Sequence, residues 1–145
     1  MKLVDANVLL YAVNGASAQH EVARRWLDGA LVGDEAVALP WLSLIAFTRI
    51  ATHPAIFPSP LRPAEALDQV EAWLAAPAAV RCDPGVRHLT LWRQTLVKVG
   101  IGGNLVNDAH LAALAIENNA TIVTLDTDFA RFDGLEWRTP AQLLA

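Results

Sequence analysis

Apolar runs of strand length alternate with longer segments of helical period from one end of the chain to the other, and that alternation restricts the fold more than any other feature. Lys2–Asp5, Ala36–Leu39, Val80–Cys82, Thr121–Leu125 and Leu135–Arg138 read as strands, since each is too short for a helix and Thr121–Leu125 is β-branched in character. Between them, Asn7–Tyr11 reads as a helical turn. Val22, Ala23, Trp26, Leu27, Ala30 and Leu31 then recur at helical spacing behind Ser17, a candidate N-cap. Trp41–Ala51 follows as an apolar helix, and the four prolines from Pro54 to Pro63 make an irregular connection. Pro63 can occupy the first turn of a helix whose core face is Ala66, Leu67, Val70, Trp73 and Leu74. Val86–Val99 and Asn104–Glu117 are the remaining helices, separated by Gly100, Gly102 and Gly103.

Apolar strands of this kind, joined by helices, predict an α/β fold of three α/β/α layers around a parallel sheet of about four to five short strands. Right-handed crossovers then bring every strand's C-terminal end to one side, where ligand sites of open α/β sheets form.

The 145 residues fit one domain over residues 1–145, and 54% hydrophobic content suffices for a continuous core. Cys82 is the sole cysteine, which excludes an intrachain disulfide and points to a reducing, cytoplasmic setting. Arginines such as Arg49, Arg81 and Arg93 interrupt every apolar stretch before it reaches the roughly 20 residues of a membrane span. Asp5 and Asn7 interrupt the apolar N-terminus, so Met1 to Val13 reads as a buried strand rather than a secretion signal. The net charge of −4 gives no general pull toward nucleic acid, although nine of the basic residues are Arg, whose planar fork suits phosphate.

Three aspartates occupy comparable places: Asp5 closes the first strand, Asp126 follows Thr121–Leu125, and Asp108 begins the helix after the glycine turn. In a parallel sheet they converge, and Asp128 can join them from the next turn. Each alone could be an ordinary cap or turn residue. Together, carboxylates so placed repel one another unless protons or a cation compensate, and oxygen-only ligands favour Mg²⁺ or Mn²⁺. The chemistry indicated is metal-assisted phosphodiester hydrolysis, with Asn7, Asn104, Asn107 and Thr124 available to orient ligands or waters. His20, His53, His88 and His110 lack metal-ligand spacing, and the five tryptophans fit helix core faces. Among the histidines, His110 stands two residues from Asp108 and is the one candidate for substrate contact.

Leu3-Val4-Asp5-Ala6-Asn7-Val8-Leu9-Leu10-Tyr11 resembles the first motif of PIN domains, and Asn107-Asp108-Ala109-His110-Leu111-Ala112-Ala113-Leu114-Ala115 resembles the third. Thr124-Leu125-Asp126-Thr127-Asp128-Phe129-Ala130-Arg131-Phe132 is similar to the fourth, and the likeness extends through Arg49, Thr52 and Pro54. It is especially close to VapC toxins of the mycobacterial type, from type II toxin–antitoxin systems. The resemblance implies a Mg²⁺-dependent endoribonuclease, a homodimer, and inhibition by a VapB-type antitoxin encoded alongside it. Asp5, Asp108 and Asp126 match the family's metal-binding aspartates, and Asp128 matches an acid often found nearby. The second motif departs: family members carry a glutamate on the helix corresponding to Trp41–Ala51, whereas no acid lies between Glu35 and Glu65. Leu44, or failing that Phe47, aligns with the missing acid.

Two other classes compete. A PIN scaffold that has lost its chemistry would act through an antitoxin or through self-association, which the missing glutamate suggests. A phosphotransfer domain also places an aspartate at a strand end. However, Asp5-Ala6-Asn7 offers an amide where a phosphatase needs a second acid, and the only lysines are Lys2 and Lys98.

Overall fold

The computed structural model describes residues 1–145. Five strands, β1 (Lys2–Val4), β2 (Val37–Ala38), β3 (Ala79–Val80), β4 (Thr121–Val123) and β5 (Trp137–Arg138), form one sheet. All pairings are parallel and the strand order is β3-β2-β1-β4-β5. The strands are shorter than the apolar runs suggest, because pairing stops where the chain turns outward at the rim. The helices are α1 (Ala6–Val13), α2 (His20–Leu31), α3 (Trp41–Ala51), α4 (Pro63–Leu74), α5 (His88–Val99), α6 (Leu105–Glu117) and α7 (Pro140–Leu144). None is long and apolar enough to cross a membrane.

Side chains alternate across each strand, so one sheet feeds two cores. Val4, Val37 and Val123 face a cluster with Leu9, Leu27, Phe47 and Trp73, built from α1 to α4. Leu3, Ala38 and Ile122 face the other way, into a cluster with Leu111, Ala112, Leu114 and Phe129. The three-layer arrangement follows directly, with α5 and α6 packed against each other on the second face.

Two local expectations require correction. Ser17 does not cap α2: its hydroxyl accepts from the Gln19 backbone N–H at 3.1 Å, in the turn before the helix, which starts at His20. An Ser-x-x turn competes here with helix propagation. The short helix α7 was not apparent from periodicity; Thr139 and Gln142 form its capping box, and Pro140 sits at its first position.

Leu44 and Phe47 are 1% and 0% exposed, and both belong to the apolar cluster of α1 to α4. Phe47 meets Trp73 edge-on with ring centroids 4.8 Å apart. An acid at either position would be costly without a partner or a cation, and this chain places apolar side chains at both. Phe47→Ala is expected to lower stability by about 3–5 kcal/mol, read by urea unfolding, whereas a loss below about 1 kcal/mol would place this side chain outside the core.

Candidate active site

The strand order reverses between β1 and β4, since β2 and β3 extend the sheet on one side of β1 while β4 and β5 extend it on the other. Side chains at the C-terminal ends of these two strands border the crevice that such a reversal opens. Asp5 follows β1 directly, and its backbone N–H donates to the Val123 carbonyl at 3.0 Å, which holds the two strand ends level.

Asp5 also caps α1. Its Oδ1 accepts the Ala6 N–H at 2.7 Å, while Oδ2 accepts the Thr124 hydroxyl at 2.8 Å and the Asn7 side-chain amide at 3.0 Å. Thr124, fully buried, accepts in turn from Asn7 Nδ2 at 3.1 Å and from the Asp126 N–H at 3.0 Å. Asn7 Oδ1 accepts the Leu125 N–H at 3.2 Å. A Thr–Asn–Asp clamp therefore ties the end of β1 to the turn after β4, and Asn7 and Thr124 orient Asp5.

Asp126 caps the 3₁₀ helix Thr127–Arg131 by accepting the Asp128 N–H at 2.9 Å. That tight turn brings Asp128 back beside Asp126. Asp108 reaches the same place from the first turn of α6, one layer above the sheet. One carboxylate oxygen from each of Asp108, Asp126 and Asp128 lies within 4.8 Å of the others. Asp5 borders this group rather than completing it, and its charge acts on Asp108. Asp128 thus takes a place in the tight group that the strand-end reasoning assigns to Asp5.

Electrostatics follow from this crowding. Burial, joined by the charges of Asp5, Asp126 and Asp128, pushes the Asp108 carboxyl up to about 6. Burial also raises Asp5, partly offset by the hydrogen bonds from Thr124 and Ala6, while the Asp126 charge adds to the rise. Hydrogen bonds to the ionised form and repulsion thus oppose each other at Asp5. An oxygen-only donor set of three carboxylates, with a fourth at its edge, fits a hard divalent cation and not a thiophilic one.

The other expected residues lie elsewhere. Asn104 and Asn107 are exposed and do not join the clamp. His110 contacts α5, where His88 Nε2 meets its Nδ1 at 2.9 Å, and burial together with His88 lowers its pKa. The pair is a packing feature against Trp92, so substrate contact by His110 is not supported. Of the tryptophans, Trp26 and Trp73 are buried as expected, but Trp41 is 49% exposed.

In the cation-free protein Asp108 titrates near 6 instead of the ordinary 3.8. A raised carboxyl favours the folded state below its ordinary value, and that contribution fades as pH climbs through 6. Chelated protein should melt at a higher temperature near pH 5 than near pH 7.5, and Asp108→Asn should raise the melting temperature at about pH 7.5. A variant that instead melts lower at that pH would show that the carboxylates do not strain one another.

A family model described as "PIN domain" matches residues 2–135. Ribonuclease VapC37 of Mycobacterium tuberculosis is 55% identical over 144 residues, covering 99% of this chain and 100% of its own. VapC ribonuclease Mb2897 of Mycobacterium bovis is 44% identical over 140 residues, covering 97% of this chain and 95% of its own. Among solved structures, VapBC2 from Rickettsia felis, bound to a promoter DNA fragment, superposes with a TM-score of 0.71 at 19% identity, over 95% of this chain and 97% of that one. The Mycobacterium tuberculosis toxin VapC20, which cleaves the sarcin-ricin loop, does so with a TM-score of 0.65 at 15% identity, over 94% and 99% of the two chains. These superpositions establish the shared fold. The chain belongs to the PIN-domain family and, within it, to the VapC ribonucleases.

Proposed function

We propose that this chain is the toxin of a VapBC-type pair, an endoribonuclease that hydrolyses RNA phosphodiester bonds with a Mg²⁺ ion, for which Mn²⁺ can substitute. The observation that carries this reading is the meeting of Asp108, Asp126 and Asp128 at the β1–β4 crevice, with Asp5 at its inner edge. The cation would be held by Asp108 and Asp126, with Asp5 and Asp128 on either side. When bound it lowers the pKa of water to yield a nucleophile and offsets charge on the phosphate.

The protein's own groups do the remaining work. Asp5, Asp108, Asp126 and Asp128 concentrate negative charge where an RNA phosphate must arrive, so substrate and aspartates repel until a cation neutralises them. Thr124 and Asn7 fix the Asp5 carboxylate by donating to Oδ2. This prevents rotation of the carboxylate and, with Ala6 donating to Oδ1, leaves Oδ1 the oxygen with acceptor capacity to spare. Asp108, raised to about 6, takes up a proton in mildly acidic solution, so cation affinity declines as pH falls below that point.

Three clustered carboxylates with Asp5 at their edge remain although α3 contributes none, and their convergence favours retained chemistry over a scaffold without activity. Partners follow from the relatives, several of which are solved as VapBC complexes. A VapB-type antitoxin and a second copy of the chain are the partners proposed here. The half-exposed to exposed apolar residues Ile45 and Leu67, between α3 and α4, are available to such contacts.

Incubation of purified protein with single-stranded RNA tests the reading. Cleavage should require Mg²⁺ or Mn²⁺, stop with EDTA, and be lost in Asp108→Asn and Asp126→Asn. Thr124→Val, which removes the hydroxyl from the clamp and leaves the Asn7 bonds in place, should reduce activity roughly tenfold or more. Metal-independent cleavage, or wild-type rates in Asp108→Asn, would refute the assignment.

A further inference from the structure

A second feature lies on the same rim as the aspartates, two strands away. Strand register places Leu3 beside Ala38 and Ala38 beside Val80, so the ends of β1, β2 and β3 are level. Strands are spaced by about 4.8 Å, which sets the end of β3 roughly 10 Å from Asp5 along the rim. Trp41 begins α3 after Leu39 and Pro40 lead out of β2, and Arg81 directly follows β3. Between them opens a cleft of about 230 Å³, walled also by Leu39, Leu74, Cys82 and Asp83.

Trp41 is the exception among the tryptophans, with 49% of its surface exposed where Trp26 and Trp73 show 6% each. The half-exposed indole offers aromatic surface for stacking on the cleft side, while its other flank borders the α3–α4 groove with Ile45 and Leu67. Arg81 is exposed and forms no ion pair, unlike Arg24, Arg62, Arg131 and Arg138. Of the other arginines without an ion pair, Arg25 stands beside Lys2 and Asp34, Arg87 donates to the Glu117 carbonyl, Arg93 lies on α5, and Arg49 lines the α3–α4 groove on the other side of Trp41, so Arg81 alone shares this cleft. An aromatic face and a free guanidinium flanking one narrow cleft are the two components with which proteins grip single-stranded nucleic acid. The Asp83 carboxylate on the same wall offers an acceptor to a base amino group.

We propose that Trp41 and Arg81 form a subsite for one nucleotide of the RNA strand, the base stacked on the indole and the adjoining phosphate held by the guanidinium, and that this subsite sets the base preference beside the cut. The proposal rests on the ribonuclease reading for its substrate. Its position two strands from the aspartates lies within the footprint of a short single strand running along the rim.

The test compares wild type with Trp41→Ala, Trp41→Phe and Arg81→Ala, each first shown to keep the wild-type melting temperature within a few degrees and to bind Mg²⁺ as wild type does. Cleavage of a randomised single-stranded RNA pool, with the 5′ ends sequenced, reads the preference; binding of labelled RNA in EDTA reads affinity without chemistry. Trp41→Ala should erase the preference at one position flanking the cut and weaken RNA binding roughly tenfold, while Trp41→Phe, still aromatic, keeps most of both. Arg81→Ala should weaken binding to all sequences and reduce the salt dependence by about one phosphate contact. Unchanged preference and affinity in Trp41→Ala would overturn the subsite, as would a variant that lost only self-association, since that assigns Trp41 to a protein interface. If the wild type binds RNA in a Trp41-dependent manner yet cleaves none, the subsite stands and the nuclease reading falls.

Discussion

Repulsion among like charges governs this structure at its working edge. Three carboxylates meet where β1 and β4 part, with Asp5 at their edge, and burial together with the neighbouring charges holds the Asp108 carboxyl near 6. A fold gains nothing in stability from such a group, and most chains disperse their acids over the surface to avoid it. Here the crowding is imposed by backbone geometry: parallel register brings the strand ends level, α6 starts above them, and a 3₁₀ helix turns Asp128 back toward Asp126. The arrangement persists because Asp5 is held by donors from three residues, Ala6, Asn7 and Thr124. A divalent cation removes the repulsion that this rigidity maintains, so the strain and the affinity have one origin.

The core and the site are joined through the same strands. Leu3 and Val4 anchor β1 in opposite cores, and Ile122 and Val123 do so for β4, all four fully buried. Rigid strands leave Asp5 and Thr124 little freedom at the rim, which is what a cation with strict ligand geometry requires. Relatives with less than a fifth of their residues identical to this chain keep the same layered fold. That tolerance is expected where apolar pattern and volume, more than particular side chains, specify a core.

Much of this was legible in the residues alone. Short apolar runs between amphipathic helices contain the information for a parallel three-layer fold, and Asp5, Asp108 and Asp126 are recognisable because each sits at an element boundary facing one rim. Thr124 and Asn7 were legible for the same reason, being neighbours of those boundaries. Other features depend on tertiary detail. Asp128 was legible as a neighbour of Asp126, but that its turn is 3₁₀, and that it stands closer to Asp108 and Asp126 than Asp5 does, was not. The His88–His110 contact spans 22 positions and leaves no local trace. Leu44 and Phe47, the positions aligned with the missing acid, are core residues in this chain, in keeping with their apolar character. Trp41 reads as part of an apolar face, yet it overhangs the first turn of its helix, and exposure at a helix end is set by what the neighbouring strand leaves uncovered.

The most direct measurement is a crystal of the protein soaked in Mn²⁺, with anomalous scattering used to locate the ion. The structure predicts one strong peak in ligand contact with Asp108 and Asp126, bordered by Asp5 and Asp128, that vanishes in Asp108→Asn. An ordered protein with no peak at the β1–β4 crevice, or with manganese bound only at another surface, would contradict it.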